Sequence, residues 1–84
     1  MIQTIQNAYI KGISEFLFTT KEFNPTIDIS SLNILEASRT ALILSTEFFT
    51  KFPERTIRWE VKDEETKRNI SVLKLKNMEL CIKN

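Results

Sequence analysis

A single glycine, Gly12, serves a chain of 84 residues. Glycine enters left-handed backbone freely, and it lets main-chain N–H groups approach a phosphate without a Cβ clash. Glycine-rich nucleotide loops, of the Walker or the dinucleotide type, cannot be built from this chain. Its turns must be made by other residues. At an expected turn at Lys76-Asn77, only Asn77 is comfortable at positive φ.

Two further counts narrow the chemistry. Histidine is absent and cysteine occurs once, at Cys81. No side chain therefore titrates near neutrality unless a carboxylate or lysine is tuned to do so. Ser-His-Asp and Cys-His nucleophile systems are excluded by count, and so is a structural zinc site. The densest acidic run, Asp63-Glu64-Glu65, lacks the spacing and the glycine of a calcium loop and reads as a solvated turn. An enzyme would need a carboxylate pair such as Glu60 and Glu79, and nothing in the sequence brings these together. The expectation is a protein that is not an enzyme, with no cofactor, no metal and no small-molecule substrate.

A lone cysteine cannot close an intramolecular disulfide and fits a reducing compartment. No basic residue precedes Lys11, and the longest strictly apolar run is Ala41 to Leu44. These features predict a cytoplasmic protein with no membrane partner.

Hydrophobic residues make up 42% of the chain and the net charge is +1, enough to bury one core and too little charge to keep the chain unfolded. The reading is one small α+β domain over 1–84. Ile2, Ile5, Tyr9, Ile13, Phe16 and Leu17 recur at helical spacing, predicting a first helix that ends between Ser14 and Thr19. Residues 18–29 are open between a hairpin and an ordered loop pinned in the core by Phe23, Ile27 and Ile29, and the short candidate strands favour the loop. Ser30 or Ser31 can cap a second helix over Leu32 to Lys51, closed by Pro53. Its core stripe reads as Leu32, Leu35, Leu42, Phe49 and Phe52, with Ile34, Ala41, Leu44 and Phe48 beside it. Alternation then predicts a strand over Thr56 to Lys62, a charged turn over Asp63 to Asn69, and strands at Ile70 to Lys76 and Met78 to Lys83. A phase change near Val72-Leu73 implies a bulge there. The expected architecture is two helices followed by a three-stranded antiparallel β-meander, with the long second helix packed on one face of the sheet.

Three surfaces follow from this reading. Phe48, Phe49 and Phe52 crowd one helix end, and adjacent phenylalanines cannot share one stripe, so an exposed aromatic there would anchor a protein partner, as would Phe23. Ala37, Ser38, Ala41 and Ser45 form a small-residue strip on which a second chain's helix could pack to give a homodimer. Residues 1–50 carry net −2 and residues 51–84 net +3, which would put Arg58, Lys62, Lys74 and Lys76 on the outer face of the meander. That face is the basis of an alternative function, nucleic-acid binding, although the only β-region aromatic, Trp59, has the phase of a core residue. The function expected first is a non-enzymatic protein-interaction or regulatory module, homodimeric and acting by surface complementarity. The strand at Met78 to Lys83 offers a further route, recruitment of another chain by strand addition.

Overall fold

The computed structural model describes residues 2–83, with side chains from Tyr9 to Lys83. The stripe residues Ile2 and Ile5 lie outside the described side chains. The elements run α1 (Ile2–Thr19), β1 (Thr26–Asp28), α2 (Ile34–Lys51), β2 (Ile57–Val61), α3 (Glu64–Ser71) and β3 (Met78–Ile82). The strands form one sheet in the order β1-β2-β3. Both pairings are parallel, with Ile27 opposite Trp59 and Trp59 opposite Leu80. The α+β class is compatible with this architecture, but the antiparallel meander is not. The segment read as its middle strand is the end of a helix and a loop, and the last strand runs alongside β2 rather than back against it.

Local chemistry accounts for each departure. Asp63 is the N-cap of α3, its Oδ1 accepting from the Thr66 N–H at 2.9 Å. Glu64 and Glu65 occupy the first turn and Arg68 the last, the order a helix dipole favours. Thr66 and Ile70, four apart, are the buried residues of this helix. Val72 is its C-cap and is 67% exposed, which rules out a core-facing role in a strand. The left-handed residue is Lys74, at φ 54°, and no other described non-glycine residue has positive φ. Asn77 makes no turn of that kind. Its buried side chain donates through Nδ2 to the Ser45 carbonyl at 2.9 Å and so ties the start of β3 to α2.

Residues 18–29 are neither hairpin nor loop throughout. α1 ends at Thr19, whose hydroxyl donates back to the Glu15 carbonyl at 2.7 Å. After a short connection, the Pro25 carbonyl accepts from Arg58 N–H and the Ile29 N–H donates to the Glu60 carbonyl, each within 2.9 Å. These bonds bracket β1 as a parallel partner of β2. At α2 the cap is Asn33, in a capping box with Glu36, so neither Ser30 nor Ser31 starts that helix. Ser30 instead donates its N–H and hydroxyl to Asp28 Oδ1.

The core lies between the helices and one face of the sheet. Ile27, Ile57, Trp59 and Val61 point into it from the strands, and Ala37, Ala41, Leu44 and Phe48 from α2. The Trp59 indole N–H finds a partner inside, donating to Ser45 Oγ at 2.9 Å. α3 packs on α2, and α1 joins at its C-terminal end, where the Phe18 ring lies 6.3 Å from that of Phe48. The opposite face of the sheet carries Thr26, Asp28, Arg58, Glu60, Glu79 and Cys81, the alternate residues of the three strands, and none of them is buried.

Candidate interaction surfaces

α2 carries two apolar stripes, not one. At about 100° per residue, Ala37, Ala41, Leu44 and Phe48 form the side that meets the sheet, and all are buried. Leu35, Leu42 and Phe49, seven residues apart, lie well round from that side and are 68%, 41% and 44% exposed. Ile43 is also 39% exposed, but it lies further round the helix and outside this stripe. Spacing alone assigns Leu35, Leu42 and Phe49 to the core; in the structure they form the outer stripe. The signal that separates the stripes is side-chain size. Small residues at 37, 41 and 45 leave room for a neighbouring layer, whereas the outer stripe has only large side chains.

The expected interface residues divide accordingly. Phe49 and Phe23 (60% exposed) are on the surface, so Ile27 and Ile29 anchor their segment in the core and Phe23 does not. Phe52 is half-buried, its ring 5.2 Å from that of Phe48 and covered by the Arg55 guanidinium at 4.3 Å. Phe48, Ala37 and Ala41 are wholly enclosed by the chain's own sheet and helices. The small-residue strip therefore receives this chain's own layers: Ser38 Oγ accepts from Asn69 Nδ2 of α3, and Ser45 bonds Trp59 and Asn77.

The four basic residues of the alternative reading do not share a face. Arg58 is on the open side of β2, in an ion pair with Glu79 at 3.3 Å. Lys62 follows β2 and so sits at the C-terminal end of the sheet. Lys74 and Lys76 precede β3, which runs parallel to β2, and therefore lie toward the opposite end. On the open face Asp28, Glu60 and Glu79 outnumber Arg58 and the neighbouring Lys83. Trp59 is fully buried and offers no stacking platform.

The C-terminal end of a parallel sheet is where ligands bind in open α/β folds, at a point where strand order reverses. Here the order β1-β2-β3 has no reversal. Both helix N-termini nearby are closed by their own caps, Asn33 and Asp63. The Thr66 N–H holds the Asp63 carboxyl below its ordinary value, so α3 already has an anion at its start. Asp28 and Lys83 form an ion pair across the open face. The Lys83 ammonium, followed by the Ser30 hydroxyl and N–H, lowers the Asp28 carboxyl to about 2. In return Asp28 raises Lys83. Both groups are thus held charged at neutral pH, which suits structure better than proton transfer. Among the described residues, no group of three or more acidic or cysteine side chains is placed to hold a metal ion, and no helix is long and apolar enough to cross a membrane. A shallow groove of about 530 Å³ runs between α1 and β1, lined by Tyr9, Gly12, Ile13 and Phe16 on one side and Thr26 to Asp28 on the other.

Comparison with protein-family models, curated proteins and solved structures finds no match to this chain.

Proposed function

We propose that the protein is a non-enzymatic, cytoplasmic interaction module with a regulatory role, and that it binds another protein through the outer stripe of α2. The observation that carries this reading is the exposure of Leu35, Leu42 and Phe49 on a helix whose other side already fills the core. Large apolar side chains held in a row on a rigid helix, with Arg39 and Glu47 exposed around them, match the anchors-and-rim anatomy of an interface. Their heptad spacing suits a partner that presents an apolar helix face. The monotone strand order, the self-capped helix starts and the locked Asp28–Lys83 pair support a role without catalysis.

A photoreactive phenylalanine analogue at Leu42, introduced in the native cell, should capture one defined partner. The same analogue at the exposed Lys74 turn should not. Leu35→Ser with Phe49→Ser, added to the Leu42 probe, should abolish capture while leaving the melting temperature nearly unchanged. Equal capture from both positions, or capture that survives the double substitution, would remove this reading.

A further inference from the structure

The two edges of the sheet are treated differently. In β1, Pro25, Ile27 and Ile29 turn their backbone groups toward β2, which leaves Thr26 and Asp28 facing outward. α1 runs beside that edge across a shallow groove, and the Tyr9 hydroxyl donates to the Asp28 carbonyl at 3.1 Å. At the two ends of β3, the Asn77 carbonyl accepts from Ile57 N–H and the Lys83 N–H donates to the Val61 carbonyl. Odd-numbered residues therefore face β2, and the N–H and C=O groups of Met78, Leu80 and Ile82 point away from the sheet. No hydrogen bond to these groups forms among the described residues. β3 is thus an open edge of five residues, whereas β1 has three and has Tyr9 bonded to its outer side.

We propose that a second copy of the chain adds its own β3 to this edge, antiparallel, with Cys81 on the two-fold axis. The strand's side chains select that occupant and that register. With Cys81 opposite Cys81 of the second copy, Glu79 lies opposite the second copy's Lys83, and Lys83 opposite its Glu79. Leu80 and Ile82 then become the hydrogen-bonded pairs, exchanging about four backbone bonds between the copies. Their half-buried side chains continue the apolar floor beneath the helices. Shifting the strands so that Leu80 meets Leu80 would put Cys81 opposite Glu79 and leave Lys83 without an opposing acid. A parallel, in-register partner would place Glu79 beside Glu79 and Lys83 beside Lys83. The charges thus favour a closed two-fold dimer over an open stack. Within each copy Glu79 accepts from Arg58 and Asn24, and Lys83 pairs with Asp28; the contact between copies would extend this alternation of sign across both sheets. This contact is independent of the outer stripe of α2.

Directly opposed residues of a non-hydrogen-bonded antiparallel pair have Cα atoms about 4.5 Å apart, within disulfide reach. Mild oxidation with diamide, which takes up the two electrons and two protons of two thiols, should convert the wild-type chain to a covalent dimer through Cys81. Sedimentation equilibrium without oxidant should show a reversible dimer. Glu79→Lys and Lys83→Glu each set like charges opposite one another and should weaken self-association roughly tenfold. An equimolar mixture of the two restores every opposite-sign pair and should dimerise about as well as wild type. On Cys81→Ser, a cysteine at Glu79 should cross-link to one at Lys83 in mixtures and not to itself. A wild-type chain that stays monomeric to high micromolar concentration, without the Cys81 cross-link, overturns the proposal. So does a dimer that cross-links instead through Phe49→Cys on the Cys81→Ser background, because that places the second copy on α2.

Discussion

The inner and outer sides of α2 both carry large apolar side chains, and these have opposite fates. Leu44 and Phe48 are enclosed, while Leu42 and Phe49, next to Ile43 and Phe48 in the chain, face out. Hydrophobicity did not decide between them. The inner side won because Ala37, Ala41 and Ser45 let the sheet and α3 approach closely enough to make bonds such as Trp59 Nε1 to Ser45 Oγ. Packing of layers follows shape and polar satisfaction as much as apolar area.

The sharpest way to break this comparison is to truncate adjacent phenylalanines. Phe48→Ala removes a ring packed between Phe18 and Phe52 and should destabilise the fold by about 3–5 kcal/mol. For a chain this small that loss takes most of the stability. Phe49→Ala, one residue on, should change stability by about 0.5 kcal/mol or less and act on partner capture instead. Urea denaturation of the two variants measures the contrast directly. Similar losses for both would mean that the outer stripe is a second core.

A smaller effect tests the polar part of the inner side. Ser45→Ala deletes the acceptor of the Trp59 indole and strands a fully buried N–H, for about 1–3 kcal/mol. The Ser45 carbonyl still receives Asn77, so β3 should keep its place. Pairing Ser45→Ala with Trp59→Phe should recover part of the loss, because the orphaned donor is then gone. A double-mutant cycle on denaturant midpoints reads this coupling, and strict additivity would deny it.

The same two-sidedness explains which parts of the fold were legible in the sequence. The alternation Ile57-Arg58-Trp59-Glu60-Val61 announced a half-buried strand, and β2 is one. Half-burial usually accompanies antiparallel pairing, since parallel sheets tend to be covered on both faces. Here all the described helix packing lies on one face and the other stays polar, so the pattern reported burial correctly and direction not at all. α3 was hidden for a different reason. Asp63-Glu64-Glu65 looks like a solvated turn until Thr66 and Ile70 are read together at helical spacing, and Ile70-Ser71-Val72 is too short to prove an alternation. At the surface, the excess of aromatics points to Phe23 and Phe49 as candidate anchors, but the pinned loop and the helical stripe give them core positions as well, and only the structure puts both outside. Leu35 and Leu42 carry no such sign, because one helical stripe looks like another until the layer that covers it is known.

The smallest effect belongs to the open face, where ion pairs stand in for the packing of the covered one. The Asp28 carboxyl is lowered to about 2 by Lys83 and Ser30, from an ordinary 3.8. A depressed acid contributes stability above its unfolded value and loses it as the pH falls toward the folded one. Lys83 is raised from 10.5, so its contribution is complete below that pH and fades above it. The pair's effect should therefore be flat between about pH 5 and pH 9 and disappear at both extremes. The Asp28 side chain is 40% exposed, so screening leaves no more than a few tenths of a kcal/mol. Melting temperatures of wild type and Asp28→Asn across this range should run parallel in the middle and converge toward pH 2. A gap that widened on acidification would mean that the folded state favours the protonated Asp28 carboxyl, against the ion pair with Lys83.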